Sequence, residues 1–389
     1  MLALEWGEES SSGVKVSAVG ATRQATVFSC INILSRDMAA LGLNLYERKP
    51  DGGRAIVNEH PISAWLNNPN RAMTAYQFRQ MRWAHKLVYG NSYCHINWDA
   101  GEGMVPRTWP IHPDSVTIGL TPSGVKQYSI RQNDGTKKPV QASRMLHSFG
   151  ISFDGFSGVS PIRWNMEAVG QAIAVGEYAA SYFRSPVPKV ILQAAGGMKN
   201  QQERDDFIKD WTERFAGKKG LTTAAILPQS LTVSQVIKIP NNEAQFIETS
   251  RLNKEAIAQI FLMPMHRLQG LERSTFNNIE HLDLEYTKYT LAPWLKEDEE
   301  AMDNQFLTPE ERNRFFIRHN LETLLRGEYK TRMEGHQLAA GGPFSTPNER
   351  RALENMPAIE GGEELRIPLN TAPASKWNIR QGGKNGKAD

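Results

Sequence analysis

The chain has 389 residues, 40% hydrophobic and 22% charged, with 45 Lys and Arg against 42 Asp and Glu and a formal net charge of +3. That length allows two or three domains with a sizeable core, and the charge balance excludes a strongly basic, nucleic-acid-gripping domain. No apolar run approaches the ~18 residues of a membrane span, and the start from Met1 to Glu9 lacks the basic and apolar regions of a secretory signal, so the reading is a cytosolic product without a membrane partner.

Charge is placed unevenly. Glu5, Glu8 and Glu9 mark the start, while Lys376, Arg380, Lys384 and Lys387 face only Asp389 in a Gly-rich tail that reads as a disordered, solubilising extension. The two cysteines, Cys30 and Cys94, sit inside apolar segments and read as small core residues rather than as a disulfide or a zinc site.

In chain order, Val27, Ile31, Leu34, Met38 and Leu41 recur at helical spacing and predict a helix over 22–41, ended by Gly42. Strands over 43–48 and 54–58 flank the turn Asp51-Gly52-Gly53. Thr74-Ala75-Tyr76-Gln77 has the capping-box pattern and opens a helix that runs to Tyr89 and stops at Gly90-Asn91. From Ser92 to Phe149, short β segments are broken by glycine turns. Ser160-Pro161 starts a helix whose apolar stripe includes Ile162, Met166, Val169, Ile173, Tyr178 and Tyr182. Its other positions are rich in Ala and Gly. Close packing within one subunit and side-by-side packing between subunits both remain open.

After Pro186 and Pro188, a strand over 189–193, an amphipathic helix over 201–215 and β structure over 224–239 form a unit too small for much of a private core. A helix over 242–263 is closed by Pro264, and Met265 to Arg273 is expected to be a loop around Gly270. A helical stretch over 274–307 would span roughly 50 Å at about 1.5 Å per residue, with a kink at Pro293. A helix over 321–340 stops at Gly341-Gly342-Pro343, and Thr346-Pro347-Asn348-Glu349 caps a short helix to Met356.

Catalytic patterns are few. Gly382-Gly383-Lys384 lacks phosphate-loop spacing, and Gly155-Phe156-Ser157-Gly158 lacks the spacing of a nucleophile elbow. The nine histidines show no metal-binding spacing and read as unclustered structural residues, and the run Glu297-Asp298-Glu299-Glu300 reads as a solvated helix face. Pro113-Asp114 with Glu328-Tyr329-Lys330 is the one nuclease-like combination, split between separate regions. No cofactor and no catalytic residue are expected.

Several short segments, in order, resemble the portal family of long-tailed, siphophage-type bacteriophages. They are His60-Pro61-Ile62-Ser63-Ala64-Trp65-Leu66-Asn67-Asn68-Pro69-Asn70 with Met73-Thr74, Tyr89-Gly90-Asn91-Ser92-Tyr93, and Asp154 to Ile162. Ile257 to Pro264, Thr290-Leu291-Ala292-Pro293 and Thr346-Pro347-Asn348-Glu349-Arg350 complete the set, which spans roughly 25–370. Met263-Pro264-Met265 departs from the Gly-Val-Pro-Pro-like turn common in the family.

The resemblance implies an α+β portal fold with a mixed wing, a helical stem, a small β-α-β clip and a helical crown, assembled as a dodecameric ring. It would divide the chain into wing (1–158), stem helix (159–186), clip (187–241), second stem helix (242–263), tunnel loop (264–274), spine helix and remaining wing (275–319), and crown with basic tail (320–389). Implied partners are double-stranded DNA contacted without regard to sequence, terminase, the head–tail adaptor, and the major capsid and scaffolding proteins. The implied place is the portal vertex of the virion, after assembly in the host cytoplasm. Candidate channel residues are His266, Arg267, Leu268, Leu271 and Arg273 in the loop, with Arg251 and Lys254 on the helix before it. The basic ones would offer rings of charge to phosphates, with pairing to Glu255 or Glu272 as the other reading; Leu268 and Leu271 would offer an apolar constriction. A metal-dependent nuclease and a non-channel adaptor or shell protein are the competing function classes.

Overall fold

The computed structural model describes residues 7–50, 52–98, 105–184, 190–194, 231–236, 242–269, 282–321, 329–342, 344–354 and 356–366, with a few helical positions between 201 and 209. Two compact units divide at Leu321 and Glu322.

The first unit opens with a hairpin, β1 (Gly7–Glu9) and β2 (Lys15–Ser17), followed by α1 (Ala18–Thr22) and α2 (Ala25–Ala40). The helix expected over 22–41 is α2, which starts at Ala25 because the separate short helix α1 ends at Thr22. The break has a local cause: the Gln24 side chain turns back to accept from the Val27 amide and caps α2. Strands β3 (Gly42–Arg48) and β4 (Arg54–Ile56) pair as expected. Helix α3 (Pro61–Asn67) is capped by the His60 ring and helix α4 (Ala75–Tyr89) by both bonds of the Thr74–Gln77 capping box.

The β series comprises β5 (Asn91–Asn97), β6 (Arg107–Ile111), β7 (Val116–Leu120), β8 (Lys126–Arg131), β9 (Lys137–Gln141) and β10 (Met145–Phe149). They form two antiparallel sheets, in the orders β10-β5-β6 and β7-β8-β9. Next come α5 (Pro161–Trp164) and α6 (Met166–Arg184), separated at Asn165, where a continuous helix was expected. The Asn165 side chain bonds the Pro161 carbonyl, competing with the helical ladder. Strands β11 (Val190–Ala194) and β12 (Leu231–Val236) pair antiparallel; most of the helix expected over 201–215 lies outside the described residues.

Helix α7 (Asn242–Ile260) packs on α6 and α2 and ends three residues before its expected stop. The Met263 amide bonds Ala258 O and the Leu262 amide bonds Gln259 O, a Schellman turn with Leu262 at φ 50°. A left-handed residue there finishes the helix before Pro264 can. The segment expected as loop begins with a short helix, α8 (Met265–Gln269). The later long helix is described from residue 282, and passes through a π turn (Tyr286–Leu291) into α9 (Ala292–Phe306). Proline has no amide to give the preceding turn, and the widened turn lies directly ahead of Pro293. Helix α10 (Pro309–Arg314) and strand β13 (Phe315–Asn320) had no counterpart in the sequence reading. Thr308-Pro309-Glu310-Glu311 carries a capping box and first-turn proline that announce the helix, and Phe315-Phe316-Ile317 the strand.

Strand β13 joins β3 in the order β13-β3-β4. The main core lies where this sheet, β5, β10, α3, α4 and α9 meet, with Leu45, Trp65, Phe78, Cys94, Ile96, Met302 and Ile317 in one cluster. Trp65 stacks 4.1 Å from Phe306 and donates its indole N–H to Thr108 at 2.9 Å, so its one polar atom is satisfied in the core. Cys30 and Cys94 are both buried, which pushes each thiol up to about 12.

The acidic run on α9 is only half solvated: Glu297 and Glu300 are exposed, but Asp298 and Glu299 are buried. Arg82 pairs with Asp298, both side chains 4% exposed, and the Lys86 ammonium, 1% exposed, reaches Glu297 at 2.8 Å and Ser148 at 3.2 Å. Glu299 accepts from the His319 amide at 2.8 Å and lies 3.3 Å from Arg318, which also meets Asp303 at 2.7 Å. Helix α9 is covered on more than one side, by α4 and β10 and by β13, so consecutive positions are buried. Burial disfavours the Asp298 carboxylate, but Arg82 and Lys86 outweigh it and hold its pKa below the ordinary range.

The second unit contains α11 (Tyr329–Gly341) and α12 (Pro347–Leu353), the latter with its capping box formed. Glu354 joins them, meeting Arg332 at 2.6 Å and His336 at 2.9 Å. Leu338 and Phe344, each 79% exposed, are left outside any core of this unit.

Candidate functional site

The turn between α7 and α8 is braced from behind by the π turn. Thr290 donates its hydroxyl to Leu262 O at 2.7 Å, fixing the strained residue through its own carbonyl. Arg267 meets Asp283 at 2.9 Å and stacks its guanidinium 4.6 Å from the Tyr286 ring centroid. Tyr286 is fully buried and donates to Asp37 on α2 at 2.9 Å; burial and the Asp37 charge both push its pKa up. His266 Nε2 lies 3.8 Å from Asp283, beyond hydrogen-bond reach. Burial, then the neighbouring Arg267, hold the His266 ring below its usual pKa.

These contacts place the channel candidates. Arg267 and His266 turn toward Asp283 rather than standing free. Arg251 pairs along its own helix with Glu248 at 2.9 Å and Glu255 at 3.8 Å. Lys254 is exposed and Leu268 half-buried, while Leu271, Gly270, Glu272 and Arg273 lie outside the described residues. Asp283, Tyr286 and Thr290 do the bracing, and the sequence reading had not singled out the first two for any role in the turn. The π geometry that aims them leaves no local sequence signal beyond Pro293.

A second group of contacts explains the family-like motifs. Gly90 ends α4 at φ 75°, and a Cβ there would overlap the Val159 carbonyl, while one on Gly158 would overlap Gly90 O. Between them, Asn91 accepts from the Gly158 amide at 2.8 Å and donates to its carbonyl at 2.6 Å. Ser160, the cap of α5, donates to Val88 O at 2.6 Å. The segments Tyr89 to Tyr93 and Asp154 to Ile162 thus form one latch at the base of α5 and α6. His147 completes it, with Nε2 3.0 Å from Asn91 Oδ1 and Nδ1 3.2 Å from the Tyr128 hydroxyl. This suits a neutral ring that donates to Asn91 and accepts from Tyr128. Burial, with Lys126 and Lys86 nearby, pushes the ring's pKa down to about 3.

Two histidines do meet, against expectation. The His85 and His112 ring centroids are 5.7 Å apart, because the chain leaving β6 crosses the end of α4. Among the described residues, no group of three or more His, Cys, Asp or Glu is placed to hold a metal ion. Asp114 of the nuclease-like combination lies beside His112 at 3.8 Å, and Glu328 lies outside the described residues.

The polar contacts described here brace turns and helix ends within one α+β subunit. The phage portal protein family model matches residues 25–355, and the chain belongs to that family. It is 26% identical to the portal protein of Enterobacteria phage HK97 over 371 residues, covering 94% of this chain and 86% of that one. Against the probable portal protein of Streptomyces phage phiC31 it is 28% identical over 382 residues, covering 94% and 82%. The fold matches a chain from the neck of a gene transfer agent particle at 17% identity, covering 88% of this chain and 94% of that one. Its TM-score is 0.62 for the empty particle, computed with C6 symmetry, and 0.58 for the native one, computed with C12 symmetry.

Proposed function

We propose that the chain is one subunit of a twelvefold ring at a capsid vertex, forming the channel through which double-stranded DNA is packaged and ejected. The observation that carries this reading, beside family membership, is the state of the paired helices. The base of α6 is buried at Val169, yet Ile247 (68%) and Leu252 (52%) on α7, which packs on it, are exposed. Apolar side chains left in water on a helix pair are what a ring of neighbouring pairs would cover.

In this reading residues 1–158 and 275–319 belong to the wing, α6 and α7 to the stem, 187–241 to the clip and 320–389 to the crown. Residues 264–274 form the tunnel loop. The clip end would dock terminase and the head–tail adaptor, and the wing would meet the capsid and scaffolding proteins. DNA must slide, so contact falls on phosphates and is weak. Lys254 and the basic residues of 264–274 are the proposed contacts, moderated by the acidic partners of Arg251 and Arg267. ATP hydrolysis would belong to the docked terminase. No described helix is long and apolar enough to cross a membrane.

Electron micrographs of the particle test the reading. A closed ring with an axial hole, built from this chain, is the expected image; monomers or sheets would overturn it.

A further inference from the structure

A half-open cleft of about 930 Å³ lies between β6 and the β8–β9 hairpin. Ile111, Ile130 and Val140 supply apolar lining, and Trp109, 44% exposed, stands in water beside them. Arg131 and Lys138 add two full positive charges, and among the described residues lining the cleft none is Asp or Glu. Asp134, in the β8–β9 turn, keeps its charge and accepts from the Thr136 amide at 2.9 Å and hydroxyl at 2.7 Å, and Asp114 lies 3.8 Å from His112.

Three further observations separate this lining from an ordinary solvated strand. Arg131 lies directly opposite Lys137 in the β8–β9 register, a like-charge pair that costs stability. The Arg131 guanidinium is fixed by donating to Asp114 O at 3.2 Å, so its orientation is set in advance. Within the lining, His95 has its proton affinity lowered first by burial and then by Lys138 and Arg144, a sign of positive potential there.

We propose that the cleft docks an acidic, extended segment of a partner protein, its carboxylates on Arg131 and Lys138 and a bulky apolar side chain against Trp109. Strand addition to the β6 edge is not the mode, because Pro110 has no amide to donate and the Thr108 amide already bonds Pro69 O at 2.9 Å. Recognition is therefore by side chains. Duplex nucleic acid fits less well, since its bases are paired and stacked inside the helix and leave only phosphates for the cations and nothing for the apolar lining; a single strand, whose bases could stack on Trp109, is an outcome of the test. The inference does not depend on the channel reading.

The test uses the full-length protein and a fluorescein-labelled peptide of alternating glutamate and phenylalanine, followed by anisotropy at low salt. Saturable binding is expected, weakened at least about tenfold in Trp109→Ala and in Lys138→Glu. Both positions are exposed, and unchanged melting temperatures confirm that the variants fold. The Lys138→Glu variant should gain affinity for the alternating lysine–phenylalanine peptide. Absence of saturable binding, or equal binding by all variants, overturns the proposal. So does tighter binding of a charge-matched single-stranded oligonucleotide with the same variant sensitivity, which would assign the cleft to nucleic acid. Self-association abolished by the same substitutions would assign it to a second copy and also overturn the proposal.

Discussion

Replacing Asp298 with leucine leaves the Arg82 guanidinium 4% exposed, with its carboxylate gone. What remains near it is the Cys94 thiol, the Met302 sulfur at 3.9 Å and the Phe78 ring at 5.8 Å, none able to take up a full charge. Leaving a buried charge unpaired costs about 3–5 kcal/mol, a large share of a typical folding free energy of ~5–15 kcal/mol. Arg82→Met strands Asp298 instead, but Lys86 still faces that carboxylate, so the expected loss is smaller by roughly 1–2 kcal/mol. The double variant Arg82→Met/Asp298→Leu removes both charges and fills the space with apolar atoms. It should recover most of the loss, giving a coupling of at least ~2 kcal/mol. Thermal melts followed by tryptophan fluorescence read this out, at about 2–4 °C per kcal/mol for a domain of this size. If the two single losses simply add in the double variant, or neither exceeds about 1 kcal/mol, the pair is not a buried, mutually dependent unit and the reasoning fails.

Burial lowers the pKa of His147 to about 3 and of His85 to about 4, so the unfolded chain takes up these protons first. Stability should be full above pH ~6.5 and fall on acidification toward those values, by about 2 kcal/mol per ring at pH ~5, and urea unfolding at two pH values would detect it. His147→Gln should flatten the dependence; an unchanged slope would remove His147 as a source. Leu262→Gly relieves the left-handed residue at φ 50° and should raise stability by about 0.5–1 kcal/mol, visible as a higher melting temperature; a fall would mean that Leu262 packing outweighs its backbone strain. Arg267→Ala should cost about 1–2 kcal/mol through loss of Asp283 and Tyr286, whereas Lys254→Ala should leave stability within ~0.5 kcal/mol. Lys254→Ala combined with Arg273→Ala should leave rings intact but reduce packaged or retained DNA; wild-type packaging would remove both as DNA contacts.

Local chemistry was legible in the sequence. The boxes at Thr74 and Thr346 are written in four residues each, and both formed as written. The box at Thr308 is equally plain, directly after the long helix. The acidic run on α9 was half misread. Periodicity tells which positions share a face but not how many faces are covered, and the partners Arg82, Lys86 and His319 come from distant strands and helices. The same limit hid the meeting of His85 with His112. It also hid the inward turn of Arg267, whose partner Asp283 lies beyond a segment of unrelated sequence. Family resemblance supplied what periodicity lacked, by marking Tyr89 to Tyr93 and Asp154 to Ile162 before their contact was visible.

That contact bears on how force passes through the molecule. The start of α5 is fastened to the end of α4 by backbone laid on backbone at Gly90 and Gly158, with Asn91 bonded to both polar groups of one peptide residue. A junction of this kind has no long side chain to swing and little slack to take up. A push or twist that reaches α5 would pass directly into α4 and β5 through this junction, as through a welded root and not a hinge.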